Sequence, residues 1–491
     1  MPNDTLSRIG DSIFKEELGF IPTSNSTKPP HIANGLFRMC CDEYSDIHDI
    51  NSWVVSEDKK NAISTEVLAD DYQDIFSNGK NENINNIKNL RFLLSELFNQ
   101  DNTTYASDEF SVFTISSHWL INSSVSPEAR IGDFLYKVLI KKINGKQSPI
   151  IELLKSTLAK DNDDLTKLLK PIITYPSDQA KRKTGVNSLI TDNEIEWNDA
   201  KQIIRDGFDK LAANIVLRKE ENNSLLILER IVNFSLFATF FYLISCNYYL
   251  HNGKLPPLLI DSGVELESIK KASEQTYIMA KKSIEDYVVN VSEKIIKVEL
   301  TADTEKACLD WINDMVIDKD TDDSKRKAII SYFNNFLLEE KSPKRALARS
   351  LQIALYTLLY SNNTPSDFCR VLGVRGGLIG PRGNRATRKR YLINAFTLEN
   401  ITLSVLTEDD FKYGIELKDL SRRLSDVYNI LLGADSDYEY KILEENNIVQ
   451  STPGDLRGDL SLNAQNLAAI YISIGLGKQY ADGVTLIGGE L

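Results

Sequence analysis

The sequence predicts a mainly α-helical, multidomain protein with some β structure in its N-terminal part and a C-terminal winged-helix-like domain. Three observations carry that expectation. A chain of 491 residues exceeds one ordinary core, so two to four domains are expected at roughly 100 to 200 residues each. From Trp197 onward, apolar residues recur at helical spacing almost without a break. Near the C-terminus, three helical stretches precede a hairpin signal at Asp482–Gly483.

Taken in order, residues 1–30 are polar and end in "TSNSTKPPH", which reads as a flexible tail. Residues 31–175 read as an α+β or helical domain. There "NSWVVSE" and "FSVFTISSHWLI" have the aromatic and β-branched content of strands, whereas "IKNLRFLLSELFNQ", "RIGDFLYKVLIKKI" and "PIIELLKSTLAK" read as helices. Residues 176–195 carry Pro and Gly without an apolar period and read as a linker.

Residues 196–372 read as a central helical domain. Ile231–Leu250 is uncharged over the length of a membrane span, but Asn233, Ser235, Thr239, Ser245 and Asn247 dilute it and no basic cluster flanks it. It reads as a buried core helix. A long helix is expected over 264–298. Ser342 caps the next stretch with Pro343 at the first helical position, and Leu347, Leu351, Leu355 and Leu358 form its buried stripe. Thr364–Pro365 opens a further helix that Gly373 ends.

Residues 373–390 read as a basic, glycine-rich loop and 384–491 as the winged-helix-like domain. Its first helix is expected to begin near Asn384–Thr387. The second, "IELKDLSRRLSDVYNILLG", places Leu417, Leu420, Leu424, Val427 and Leu431 on one face with Gly433 as terminator. The third is capped by Ser461 and ended by Gly475.

The formal net charge is −13 and the pI near 5.1, so any nucleic-acid contact must be local. Residues 370–390 are the place for it, with seven Arg/Lys and no acid. If the helix begins near Asn384, then Arg385, Arg388, Lys389 and Arg390 crowd its positive end, where each cation costs about 0.3–1 kcal/mol. That calls for a standing anion. Gly376, Gly377, Gly380 and Gly383 would let the backbone approach it closely, with Arg375 and Arg382 beside them. The third helix carries no cation between Leu462 and Ile474, so it is expected to dock on protein rather than in a DNA groove. The rival expectation is that the same cations pair with acidic side chains of this chain or a partner.

Motifs for chemistry are sparse. The five cysteines have no CxxC spacing, the four histidines have no metal-ligand spacing, and there is no Walker A, HExxH or GxSxG pattern. No cofactor or metal is expected. "DKDTDDSK" opens like a calcium loop at Asp318, Asp320 and Asp322, but Asp323 replaces the Gly and Ile329 the closing Glu, so it reads as an acidic turn. Neighbours Ser117 and His118 would point to opposite faces of a strand and form no nucleophile–base pair. Glu-x-Lys at Glu57–Lys59, with Asp46 and Asp49 upstream, and at Glu339–Lys341 keeps open a divergent metal-dependent nuclease. No signal peptide is apparent at the N-terminus, which points to the cytoplasm and no membrane.

The stretch "LGVRGGLIGPRGNRATRKRYLINAFTLENI" followed by "ELKDLSRRLSDVYNILLG" resembles, in layout, accessory proteins encoded with HerA/FtsK-type ATPases in bacterial anti-phage defence operons. The similarity is to the G subunit of the phosphorothioation-dependent DNA restriction system and covers roughly a quarter of the chain. The resemblance implies a non-catalytic accessory or assembly subunit of a multi-subunit restriction complex. Its partners would be other protein subunits, a motor ATPase among them, and DNA. A pure protein–protein scaffold stands as the alternative.

Overall fold

The computed structural model describes residues 4–22, 36, 37, 40, 65–76, 80–100, 131–158, 168, 171, 196–220, 223–317, 322–383, 388–481 and 483–489. The two expected N-terminal strands, the 176–195 linker, Ser117–His118, Asp318 and Asp320, and Asp46, Asp49 and Glu57–Lys59 lie outside them. The chain is mainly α-helical and divides into two compact units. Unit 1 comprises 1–26, 196–207 and 237–491; unit 2 comprises 27–195 and 208–236.

The expected tail is helical where it is described. Helix α1 (Thr5–Asp11) continues into a π-helix (Ser12–Leu18), and Leu6, Ile9, Ile13, Phe14 and Leu18 are buried. The run is polar on average, but its apolar residues fall on one face, and that face decides its fate.

Unit 2 contains α2 (Thr65–Asp71), α3 (Gln73–Phe76), α4 (Lys80–Gln100), α5 (Ile131–Ile140) and α6 (Pro149–Thr157). Ser148 caps α6 and also donates to Asp209. Helices α7 (Asp199–Leu217) and α8 (Ser224–His251) contribute residues to both units. Within unit 2, Phe208 meets Phe234 edge-on at 4.8 Å and Arg230 makes a two-pronged bond to Glu220 at 2.7 and 2.9 Å. Among the described residues, α8 is the one helix long and apolar enough to cross a membrane, and 94 % of its apolar window is buried in protein. It is the core helix that its internal polar residues predict.

In unit 1, α9 (Glu267–Glu299) runs for 33 residues, about 50 Å at 1.5 Å per residue, and packs along α12 (Pro343–Ala354). Between them in sequence lie α10 (Glu305–Asp314) and α11 (Asp322–Leu337). Ser342 and Pro343 open α12 as the sequence predicts, and the helix continues as a second π-helical stretch, Leu355–Leu359. Helix α13 (Pro365–Arg375) is capped by Thr364 and runs past Gly373 to Arg375.

The C-terminal part does not stand as a separate domain, because two short parallel strands tie it to the rest of unit 1. Strand β1 (Leu258–Leu259) pairs in parallel with β3 (Ile430–Leu431). Leu259 and Leu431 join Ile269, Leu443, Leu456 and Leu460 in one buried cluster. Asn463 locks the arrangement: its amide donates to Ile260 O at 2.8 Å and Leu432 O at 3.1 Å and its Oδ1 accepts from Ser262 N at 2.9 Å.

Three expectations here are corrected. The first C-terminal helix, α14 (Ala395–Leu403), starts at the cap Asn394 and not near Asn384. The second, α16 (Leu417–Tyr428), ends at Asn429 in the left-handed region, so Leu431 lies on a strand instead of the helix face. Gly433 is needed further on: its φ is +89° and a Cβ would stand 2.2 Å from Leu460 O. The third, α18 (Leu456–Ser473), is capped by Asp455 through Gly458 N at 3.2 Å, nearly two turns before Ser461.

Helix α15 (Glu408–Tyr413) precedes β2 (Ile415–Glu416), and α17 (Ser436–Glu445) lies between β3 and α18. The hairpin is present as β4 (Gly477–Gln479) and β5 (Thr485–Ile487), closed by Tyr480 N to Val484 O at 2.9 Å. Strand β2 pairs with β5, giving an antiparallel sheet in the order β2-β5-β4.

Candidate functional site

The basic segment lies in unit 1, between the end of α13 and the cap of α14. Arg375 closes α13, where a cation suits the negative end of the helix dipole. The chain then doubles back, with Leu378 N and Ile379 N both donating to Gly373 O, at 2.9 and 3.0 Å. Leu378 and Ile379 are buried. Gly380 and Arg390 exchange a pair of backbone hydrogen bonds, each 3.0 Å, so 380–390 is a closed loop standing on a two-residue base. Asn384 to Thr387, and Arg385 with them, lie outside the described residues.

The glycines serve mostly this doubling-back. Gly377 has φ +75°, and a Cβ there would stand 2.0 Å from Asn394 Nδ2. Asn394 N donates to Gly377 O at 2.8 Å, and Thr397 Oγ1 donates to Gly376 O. A Cβ on Gly380 would meet the Leu392 side chain at 2.8 Å. Gly383 alone of the four is exposed with open space around it.

The cations divide in the same way. Arg390 Nε donates to Asp261, whose carboxylate is fully buried at the end of β1 and also accepts from Gly263 N at 2.8 Å. Asp261 N donates to Tyr391 O at 2.8 Å, and Tyr391 N to Ser273 Oγ at 2.9 Å, so the strand carrying Arg390 is stitched to both β1 and α9. Lys389 turns inward: its ammonium donates to Pro381 O and, at 3.0 Å, to Gly383 O, clamping the loop. Burial, and then the charge of Arg370, push the Lys389 ammonium below the usual lysine value.

Arg388 is 70 % exposed and stands 3.6 Å from Glu274 Oε1, a loose surface pair. Arg382 is exposed and has no ion pair among the described residues. Arg375 is half-buried and engaged. The residues 388–394 are extended, not helical, so the described cations do not crowd a helix start. The dipole argument for a standing anion therefore falls away, and the case rests on exposure alone.

Sequence reading missed Asp261, Glu274 and Asn394 as parts of this site. A lone acid closing the apolar run "LPPLLIDSG" was the signal for Asp261. Elsewhere, Glu339 forms an exposed pair with Arg349 at 2.9 Å, and His251 is bound to Glu17 at 3.0 Å. Among the described residues there is no group of three His, Cys, Asp or Glu that could hold a metal. No family model, curated protein or solved structure matches the chain.

Proposed function

We propose that this protein is a non-catalytic accessory subunit of a bacterial anti-phage DNA restriction complex, working in the cytoplasm, and that it touches DNA with the outer lip of the 380–390 loop. The observation that carries the reading is the contrast within the segment. Arg390 and Lys389 hold the loop in place, while Arg382, Gly383 and Arg388 are left on the outside. A base fixed by the Gly380–Arg390 bonds and the Lys389 clamp lowers the entropy cost of presenting Arg382 and Arg388 to phosphates. Arg385 belongs to the same loop by sequence.

The protein-scaffold alternative has its own support, because Arg390, Lys389 and in part Arg388 are satisfied within the chain. A protein partner also fits α18 within the winged-helix-like reading. Strand β2 before α16 and the hairpin β4–β5 after α18, paired in the order β2-β5-β4, support that reading, with β3 and α17 as additions. From Ser461 to Ile472 the outward face of α18 (Ser461, Leu462, Gln465, Ala469 and Ile472) bears no charge, and Arg457 in its first turn pairs with Asp437 at 3.4 Å, which suits another protein subunit such as a motor ATPase more than a phosphate backbone.

Gel-shift titration of duplex DNA tests the choice. Arg382→Glu/Arg388→Glu is expected to abolish a shift that the parent protein gives at low salt. A parent protein that gives no shift at any salt leaves the scaffold reading in place.

A further inference from the structure

A groove of about 380 Å³ lies in unit 1 between the N-terminal π-helix and the C-terminal half of α9. Its floor is aliphatic. Val291, Ile295 and Val298 recur at helical spacing on one face of α9, and Val298 is 82 % exposed. Its walls carry Ser12, Lys294 and the carboxylates of Glu16, Glu17, Glu196 and Glu299. The π-helix matters because its wider turn brings the adjacent Glu16 and Glu17 to the groove together with Ser12.

Two of the carboxylates already have partners. Glu17 is held by His251 at 3.0 Å and Lys294 at 3.6 Å, and Glu299 by Arg8 at 2.7 Å and the Trp311 indole at 3.1 Å. Glu16 and Glu196 are exposed with no ion pair among the described residues. One turn further in on the same face of α9, Tyr287 is 1 % exposed and its hydroxyl has no hydrogen-bond partner.

We propose that this groove binds a linear aliphatic polyamine. The methylene segments would lie on Ile295 and Val298 beside the nearly buried Val291, with the internal ammonium turned out to water. One terminal ammonium would sit between Glu16 and Glu196, and the other would share Glu299 with Arg8. A hard divalent cation gains nothing from an aliphatic floor. A basic side chain from a partner reaches one end only.

The test is calorimetric titration of the full chain with spermidine, with n-butylamine and magnesium chloride as comparisons. Spermidine is expected to bind at one site and outcompete both. Glu16→Gln/Glu196→Gln should weaken it about tenfold or more, and Val298→Lys, at a position too exposed to disturb folding, should do likewise. Glu444→Gln/Glu445→Gln, exposed acids on α17, should leave it unchanged. No binding, binding indifferent to the groove variants, or equal loss with the α17 variant would each overturn the proposal. The last two would mark spermidine as a diffuse counterion of an acidic protein.

Discussion

Replacing Arg390 by Met takes the guanidinium from Asp261 and keeps most of the aliphatic bulk. The Asp261 carboxylate, fully buried, would retain only the Gly263 N–H at 2.8 Å. Removing one partner of a buried ion pair costs about 3–5 kcal/mol. Arg390 itself is 18 % exposed, so water can reach its side of the vacated space, and the lower end, about 3 kcal/mol, is expected. Replacing Asp261 by Asn at the same time removes the stranded charge, so the double variant should recover about 2 kcal/mol or more relative to the summed single variants. Urea unfolding followed by far-ultraviolet circular dichroism measures all three. A loss below about 1 kcal/mol for Arg390→Met, with additive singles, would refute the assignment of Arg390 as a structural anchor and return it to the pool of cations open to a ligand.

Two further outcomes follow from single sites. Gly377→Ala should destabilise by about 1–3 kcal/mol, since it combines a φ of +75° with a Cβ 2.0 Å from Asn394. Gly383→Ala, strained but in open space, should cost less, and the ranking of their unfolding midpoints checks the loop geometry. Burial pushes the Asp410 carboxyl up, but hydrogen bonds from Arg423 and Thr407 outweigh it and hold the group below the usual aspartate value. A carboxyl lowered in the folded state contributes stability above its unfolded pKa near 3.9, and that contribution is lost as pH falls through the lower folded value. Asp410→Asn should therefore be less stable at neutral pH and flatter below about pH 4 in a pH series of thermal unfolding.

The parts of the fold written in local signals were legible in the sequence. Ser342–Pro343 and Thr364–Pro365 are caps with a proline at the first helical position, and both helices begin there. The polar residues of α8 marked it as core. What escaped was set by partners distant in sequence. "RKRYLIN" has helix-forming residues, yet it is extended because Arg390 pairs with Gly380 and Leu392 with Asp261, far back in the chain. Leu431 keeps the helical spacing of α16, but its parallel pairing with Leu259 takes it into a strand. At the candidate site, which cations face out depended on Asp261 and on two backbone carbonyls, and neither leaves a periodic trace.

The central claim, that Arg382 and Arg388 meet phosphates, is tested most directly by the salt dependence of duplex DNA binding, read by fluorescence anisotropy. In the parent protein, the logarithm of the affinity should fall linearly with the logarithm of salt concentration. Arg382→Gln/Arg388→Gln should reduce that slope by about 2, near 0.9 for each phosphate that is no longer neutralised, while leaving the unfolding midpoint in place. Binding whose slope is unchanged by the double variant, or no salt-dependent binding in the parent protein, would contradict it.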